Sequence, residues 1–311
     1  MPETHLMPPQ PRCAPAAAAP GPTAVGGAQP WPALVDRINQ RLDELLPLVP
    51  HASSQPNPLA PAMRHAVLGM GKRVRALLAL QAARELEADD AMALDAGCAI
   101  EMLHAASLVL DDLPAMDDAP LRRGQPATHL VFGEATAMLT AVSLIARAFA
   151  LVGGLTQVSA EARCAMVAVL ACTIGSEGMS AGQQCDVAPA PGRANLRLVE
   201  QVGEQKTGSL FVAAVELGAL AGQASAAQRA RLRSYAQHVG LAFQIADDLV
   251  DEDEDTGRDT YVGLLGRGGA QALLRKHVQA ARGELLQPRG GLMQLTHALF
   301  AAHLGPQERM P

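Results

Sequence analysis

A chain of 311 residues is long enough to bury one large apolar core or two ordinary ones. Hydrophobic residues make up 49% of it but aromatic residues only 3%, so alanine and leucine, both strong helix formers, carry the apolar content and point to an all-α fold. A formal net charge of −6 argues against nucleic acid as a partner and offers an anionic membrane surface no basic patch.

Residues 1–29 are rich in proline, alanine and glycine and are expected to form a disordered arm ahead of one all-helical domain over 30–311. The arm lacks the basic start and apolar run of a secretory signal. No stretch of 18 or more residues is both apolar and free of charged or helix-breaking residues. No membrane span is therefore expected, and the expected location is the cytoplasm. A first amphipathic helix is predicted over 31–46, where Val35, Ile38, Leu42 and Leu45 recur at helical spacing and Pro47 and Pro50 close it. After the loop HASSQPNPLAP, helical pattern resumes through MRHAVLGMGKRVRALLALQAARELEA and DDAMALDAGCAIEMLHAASLVLDD. Pro114 and Pro120 interrupt it, so DDLPAMDDAPLRRGQP should end a helix and continue as a loop. Helices over 134–151 and 159–177, the loop VAPAPGRAN, a helix from Ala226 to a second acidic cluster, and helices over 267–286 and 291–303 complete the chain. Five cysteines, Cys13, Cys98, Cys164, Cys172 and Cys185, are odd in number and without CxxC spacing, which reads as buried thiols rather than disulfides or zinc ligands.

Asp111 and Asp112 end the apolar run EMLHAASLVL, with Asp117, Arg122 and Arg123 close behind. Two like charges at the end of such a run are costly unless compensated, and their oxygens suit Mg²⁺ shared with substrate phosphate. The cluster FQIADDLVDEDED, about 135 residues further on, repeats the logic. There Asp247 and Asp251, four apart, share a helix face with Asp248 beside them, while the acids beyond Asp251 also fit a solvated helix end. Of the 25 basic residues only Lys72, Lys206 and Lys276 are lysines. Lys72 and Arg75 are three apart on a helix opening with GMGKRVR, with Arg73 pointing elsewhere; an ordinary surface charge is the other reading. His104, seven residues before Asp111, can face the same cavity or be a satisfied core histidine. Lys206, followed by Thr207 in EQKTGSLFVAAVELG, is either a ligand-bound ammonium or a solvated helix start. Metal and basic groups together would neutralise a diphosphate leaving an allylic carbon, a second alkene would attack the resulting cation, and apolar helices would enclose the hydrocarbon tail.

GKRVR, HAASLVLDDLPAMDDAPLRRGQPATHLVFGEATA, GQQCD, KTG and GLAFQIADDLVD occur in that order over about 63–286. With these motifs the chain resembles the trans-polyprenyl diphosphate synthase family, and is most similar to its bacterial geranylgeranyl diphosphate synthases of carotenoid pathways. The resemblance implies a helical bundle around a deep central cavity, a homodimer, and Mg²⁺, three ions with substrate bound. It implies condensation of isopentenyl diphosphate with an allylic diphosphate, geranyl or farnesyl. By the same resemblance, Asp111, Asp112 and Asp117 match the first metal motif and Asp247, Asp248 and Asp251 the second. Lys72, Arg75, His104 and Arg123 match the isopentenyl site. Arg122 and Lys206 match residues that hold the allylic diphosphate, Thr207 and Gln244 line the same region, and Gln183 and Asp186 form a polar pair near the cavity. A bulky aromatic at the position of Ala106 limits farnesyl-producing relatives, so Ala106 and Ser107 imply a twenty-carbon product. Ala76 stands where many relatives have proline. The segment after Asp251 is short, with Arg258 where a closing lysine is expected. A farnesyl diphosphate synthase is the close alternative; a non-catalytic, prenyl-synthase-like regulatory subunit is a second, which the intact acidic motifs count against.

Overall fold

In the computed structural model, which describes residues 31–48, 59–187, 195–250 and 260–305, the helix-forming stretches build the expected all-α architecture. The first half comprises α1 (Pro32–Leu45), α2 (Leu59–Leu68), α3 (Val74–Arg84), α4 (Asp90–Asp111), α5 (Thr128–Phe132), α6 (Glu134–Gly153) and α7 (Ala160–Ile174). The second comprises α8 (Met179–Val187), α9 (Leu196–Gly203), a π turn (Glu204–Gly208), α10 (Ser209–Ala221), α11 (Ala226–Val250), α12 (Tyr261–Glu284) and α13 (Gly291–Phe300). The expected arm over 1–29, Asp251 and Arg258 lie outside the described residues.

Two helices are buried on nearly all sides, because they are apolar on nearly all sides. Along α4 the buried set runs from Ala93 to Val109, and along α10 from Leu210 to Ala221. Around them pack α3, α6, α7 and α11, with α12 against the outer side of α11. Small residues let α3 wedge between the two central helices. A Cβ on Gly97 of α4 would stand 3.1 Å from the Ala76 Cα, and one on Gly218 of α10 only 2.1 Å from the Ala79 carbonyl oxygen. At the far end, the N-terminus of α13 docks on α3, where the Gln287 amide donates to the Glu85 carboxylate at 2.8 Å.

Several expectations need correction. The helical stretch through GMGKRVR is broken: α2 ends at Leu68, and Arg73, with φ 51°, sits in the left-handed region as the N-cap of α3, so Lys72 precedes the helix. The loop after Asp112 contains an antiparallel hairpin, β1 (Leu121–Arg122) and β2 (Gln125–Pro126), turned by Arg123 and Gly124 at φ 53° and 78°. The helix expected from residue 267 starts earlier, at Tyr261, and kinks at Gly266 with φ 68°. Among the described residues only Cys98 is a buried thiol; Cys164 and Cys172 are exposed and Cys185 half-buried, while Cys13 lies outside them. Among the described residues three helical stretches could by length and composition cross a membrane, namely Asp90–Asp111, Glu134–Gly153 and Ala160–Val187, contrary to the expectation of none. The bundle explains the first: its most apolar window is 72% buried, against 33% and 28% for the others. Helix α4 is therefore a core helix, whereas α6 and α7 keep apolar surface outside this chain's own core.

Gly218→Ala should lower stability by about 1–3 kcal/mol, because backbone cannot yield as a side chain can. Gly283→Ala in the last turn of α12, where nothing stands within 4 Å, should be neutral or stabilising by about 0.5–1 kcal/mol. Thermal unfolding followed by circular dichroism compares the two, and equal midpoints would refute the close-packing account.

Candidate active site

Four elements meet at the end of the bundle where α4 stops: the start of α3, the hairpin, the π turn and the last turns of α11. The start of α3 is fixed by a buried anchor. Glu101 is the only charged residue in the middle of α4, and its carboxylate lies 3.6 Å from the Arg73 guanidinium, both side chains being 3% exposed. The same carboxylate accepts the Ala76 amide at 3.1 Å. Arg73 also donates to Asn39 Oδ1 at 2.7 Å and to the carbonyls of Val67 and Gly69 at 2.9 and 3.1 Å. Arg73 therefore points away from the cavity, as expected, but as a structural tie rather than a surface charge.

Arg75, two residues on, has no such partner. Its guanidinium lies 5.1 Å from the centre of the Phe211 ring, and its buried Nε meets no acceptor among the described residues. Burial, helped by Arg123 and opposed by Glu101, holds it below its ordinary value, at about 10. Arg123 is aimed by His104, whose Nε2 lies 2.9 Å from a guanidinium nitrogen. Burial first, then Arg75 and Arg123, keep the His104 pKa well below its usual range. The ring is thus neutral and accepts from the guanidinium. A Cβ on Gly71 would stand 3.1 Å from Arg123 and 3.4 Å from Arg73, so this glycine leaves room for both guanidinium groups. Arg73, Arg75 and Arg123 thus gather around Glu101, with Asp247 also near Arg75 and Lys72 exposed at the rim. Such an excess of partly buried positive charge needs an anion.

The acidic side is built at the end of α4. The Asp117 amide donates to the Asp111 carbonyl at 2.9 Å, which folds the longer segment back and returns Asp117 beside Asp111. Burial, together with Asp117 and Asp112, pushes the Asp111 carboxyl up to about 6, against the opposing pull of Lys206 and Arg122. That uncompensated negative charge is the condition a divalent cation relieves, so the oxygen set fits Mg²⁺. Asp112, 2% exposed, accepts Arg122 Nε at 2.9 Å and ties the hairpin to α4.

Opposite stands the π turn, a widening of the helix that often marks a functional site. It carries Lys206, whose ammonium pairs with Asp186 of α8. A Cβ on Gly182, one turn earlier on α8, would stand 2.5 Å from the Lys206 amide nitrogen, so the two backbones are in direct contact. Thr207 donates to Gln244 Oε1 at 2.9 Å, and Gln244 Nε2 donates to Asp248 at 3.0 Å. The other oxygen of Asp248 accepts the Tyr261 amide at 2.9 Å and so holds the first turn of α12. Both oxygens of Asp248 are therefore engaged, a use that helix spacing did not foresee for an expected metal ligand. Asp251 lies outside the described residues, and among those described no three His, Cys, Asp or Glu side chains converge into a preformed cage. Mg²⁺ sites completed by substrate phosphates need none.

The expected residues Lys72, Arg75, His104, Asp111, Asp112, Asp117, Arg122, Arg123, Lys206, Thr207, Gln244, Asp247 and Asp248 thus come from α4 and the loop after it together with the four elements that meet at its end. Gln183 also reaches it, donating to the Met116 sulfur at 3.5 Å. Sequence reasoning missed Glu101, Asn39, Gly182 and Tyr261. A signal existed for the first: a lone acid inside EMLHAASLVL has to find a basic partner. Asn39 and Tyr261 contribute contacts across the fold that no local pattern announces. Chemically, the arrangement can take two phosphate-bearing groups, one against the arginine cluster and one between Lys206 and the aspartates.

A family model described as polyprenyl synthetase matches residues 56–260. The geranylgeranyl diphosphate synthase of Pseudescherichia vulneris is 39% identical over 284 residues, spanning 87% of this chain and 92% of the relative. The farnesyl diphosphate synthase of Geobacillus stearothermophilus is 39% identical over 245 residues, spanning 74% and 82% respectively. Among solved structures, an FPP/GFPP synthase of Zymomonas mobilis aligns with a TM-score of 0.77 at 34% identity, over 86% of this chain and 94% of that one.

The two neighbouring aspartates should separate experimentally. Asp248→Ala leaves the Tyr261 amide and the Gln244 side chain without their acceptor, which should cost about 2–4 kcal/mol of stability and speed hydrogen exchange at the start of α12. Asp247→Asn should instead weaken binding of Mg²⁺ with inorganic diphosphate by about tenfold. Calorimetric titration together with exchange mass spectrometry reads both; equal exchange in the Asp248 variant and wild type would overturn the tie.

Proposed function

The chain belongs to the polyprenyl synthetase family, and on that premise we propose that it is a geranylgeranyl diphosphate synthase, joining isopentenyl diphosphate to an allylic diphosphate. It is a prenyltransferase, and the observation that carries the reading of its site is the half-buried Arg75, its buried Nε without a hydrogen-bond partner among the described residues, in an arginine cluster across from two aspartate motifs. Lys72, Arg75 and Arg123, the last aimed by His104, bind the isopentenyl diphosphate head. Lys206 and Arg122 hold the allylic diphosphate, with Thr207 and Gln244 behind them. Asp111, Asp117 and Asp247 offer oxygens for Mg²⁺, with Asp251 completing the second motif and three ions in the substrate complex, while Asp112 and Asp248 chiefly hold the hairpin and α12 in place. When bound, Mg²⁺ neutralises the charge that develops on the departing diphosphate.

The rest follows from the chain's own residues. Lys206 and Arg122 share the developing negative charge at the allylic head, in a setting whose walls keep the local dielectric low. Arg75 and Arg123 fix the second substrate, so that its double bond approaches as the allylic bond opens, a gain of position rather than of acid–base chemistry. His104, neutral and hydrogen-bonded to Arg123, orients that arginine and takes no proton.

Product length is set along α4. Ala106 is fully buried, five residues before Asp111, and Ser107 turns its hydroxyl back to the His104 carbonyl at 2.9 Å. Neither blocks a tail running down the helix. Each extra buried carbon is favourable by about 0.8 kcal/mol, so elongation proceeds to twenty carbons.

A second copy of the chain would cover the apolar face of α5 and α6. There Leu130, Leu139 and Val142 are 59%, 55% and 61% exposed, with Val131 and Met138 beside them. So large an uncharged face on adjacent helices is the mark of an interface.

Light scattering should report about twice the chain mass of 32.4 kDa. A monomer at micromolar concentration would remove the dimer. Incubation with Mg²⁺, excess isopentenyl diphosphate and each allylic primer, followed by sizing of the products, should yield mainly C20. Ala106→Phe should shift the yield towards C15 while condensation continues. Mainly C15 from the unaltered chain would make it a farnesyl diphosphate synthase, and no condensation with any primer would favour the regulatory reading.

A further inference from the structure

On the outer side of α11, away from the candidate active site, two histidines meet. The Nδ1 atoms of His238 on α11 and His277 on α12 are 3.1 Å apart, with ring centres 5.3 Å apart and ring planes 45° to each other. Nothing in the proposed reaction uses them. His238 lies nine residues before Asp247, which places it on the opposite face of the helix and about 14 Å further down it. Both rings are half-buried, so their backbones are held by the packing of α11 on α12 while water still reaches the nitrogens.

Two Nδ1 atoms at this distance carry one proton between them; bare lone pairs would repel and two N–H groups would clash. Burial, with His238 and Lys276 adding, depresses His277 to about 4, so that ring is uncharged at neutral pH. Two imidazole nitrogens held this close are a ready chelate. With nitrogen–metal bonds of about 2.0–2.1 Å, ligand atoms 3.1 Å apart subtend about 98° at a shared ion, between the octahedral and tetrahedral angles. The donating ring has only to move its proton from Nδ1 to Nε2, so entry of the ion releases no net proton. We propose that His238 and His277 form a two-point site for a divalent transition metal, with water completing the coordination, that clamps α11 to α12.

The chemistry separates this site from the aspartates. Imidazole suits Cu²⁺, Ni²⁺ and Zn²⁺, and Mg²⁺ prefers oxygen and gives up water reluctantly, so the ion used by the active site does not occupy this one. The inference stands apart from the enzymatic reading, because binding is measured without turnover.

Ni²⁺ is the probe, titrated calorimetrically into the full chain in millimolar Mg²⁺ without diphosphate, which would itself chelate Ni²⁺. One Ni²⁺ should bind per chain, and His238→Asn and His277→Asn should each weaken it at least tenfold. Ni²⁺ should raise the thermal midpoint of the unaltered chain but of neither variant, since an ion bound only by the folded state stabilises it. Should an asparagine variant fail to fold, glutamine at the same position serves. With Cu²⁺ as a second probe, paramagnetic resonance should show coupling to two imidazole nitrogens. A Ni²⁺ isotherm unchanged in either variant, coupling to one nitrogen only, or binding abolished by alkylating the exposed Cys164 and Cys172 would each overturn the proposal.

Discussion

One buried ion pair sets the geometry of the mouth. Arg73 and Glu101 are each 4% exposed, and between them they hold the α2–α3 turn, the first amides of α3 and the middle of α4. Removing either partner would strand the other charge in an apolar interior, a loss of about 3–5 kcal/mol. Their union lets Arg73 take up a left-handed backbone at φ 51°, a conformation that costs about 1–3 kcal/mol for a non-glycine residue and persists only where its surroundings enforce it. That reversal, five residues after α2 ends at Leu68, starts α3 in a new direction. Lys72 is left on the rim and Arg75 is turned inward over Phe211.

The inward turn matters because of the wall it meets. Helices α4 and α10 are buried on nearly every side, and charges placed at their ends sit next to a dry interior in which electrostatic effects are larger than in water. Positive charge collects on the α3 and hairpin side, negative charge at the end of α4 and along the last turns of α11. Each side is strained without its complement: Arg75 lacks a hydrogen-bond partner at Nε, and Asp111 is pushed towards its neutral form. A phosphate-bearing ligand with Mg²⁺ satisfies both sides at once. The same apolar character continues along α4 past Ala106, which is the side of the proposed reading that concerns a hydrocarbon tail.

The second half of the mouth is held by hydrogen bonds rather than by an ion pair. Thr207, Gln244, Asp248 and the Tyr261 amide form a chain that links the π turn to α11 and α11 to α12. Gly182 allows α8 to press against the backbone of Lys206 from the other side. Lys206 is therefore fixed by three separate elements, and its ammonium already has an acidic neighbour in Asp186. Preorganisation of this kind is what electrostatic catalysis requires, because donors that are already in place need no reorganisation as charge develops.

Much of this was legible in the amino-acid order. The all-α class, the helix ending at Asp111, the two acidic clusters and the lysines at Lys72 and Lys206 follow from periodicity and from the cost of placing charge beside apolar runs, both of which are local properties. The motifs of GKRVR, LVLDD and QIADD carried the family with them. Other features lay beyond local reading. A lone Glu101 announced that it needed a base but not that the base was Arg73, because that contact joins different helices. The two aspartates Asp247 and Asp248 look alike in sequence; only the arrival of Tyr261 from α12 gives the second its own partner. The contact of Gly182 with the π turn under Lys206 and the meeting of His238 with His277 likewise arise when separate helices pack. Local pattern determines which residues are apolar, charged or able to turn, whereas the pairing of a buried polar group depends on which distant backbone or side chain reaches it, and packing alone decides that.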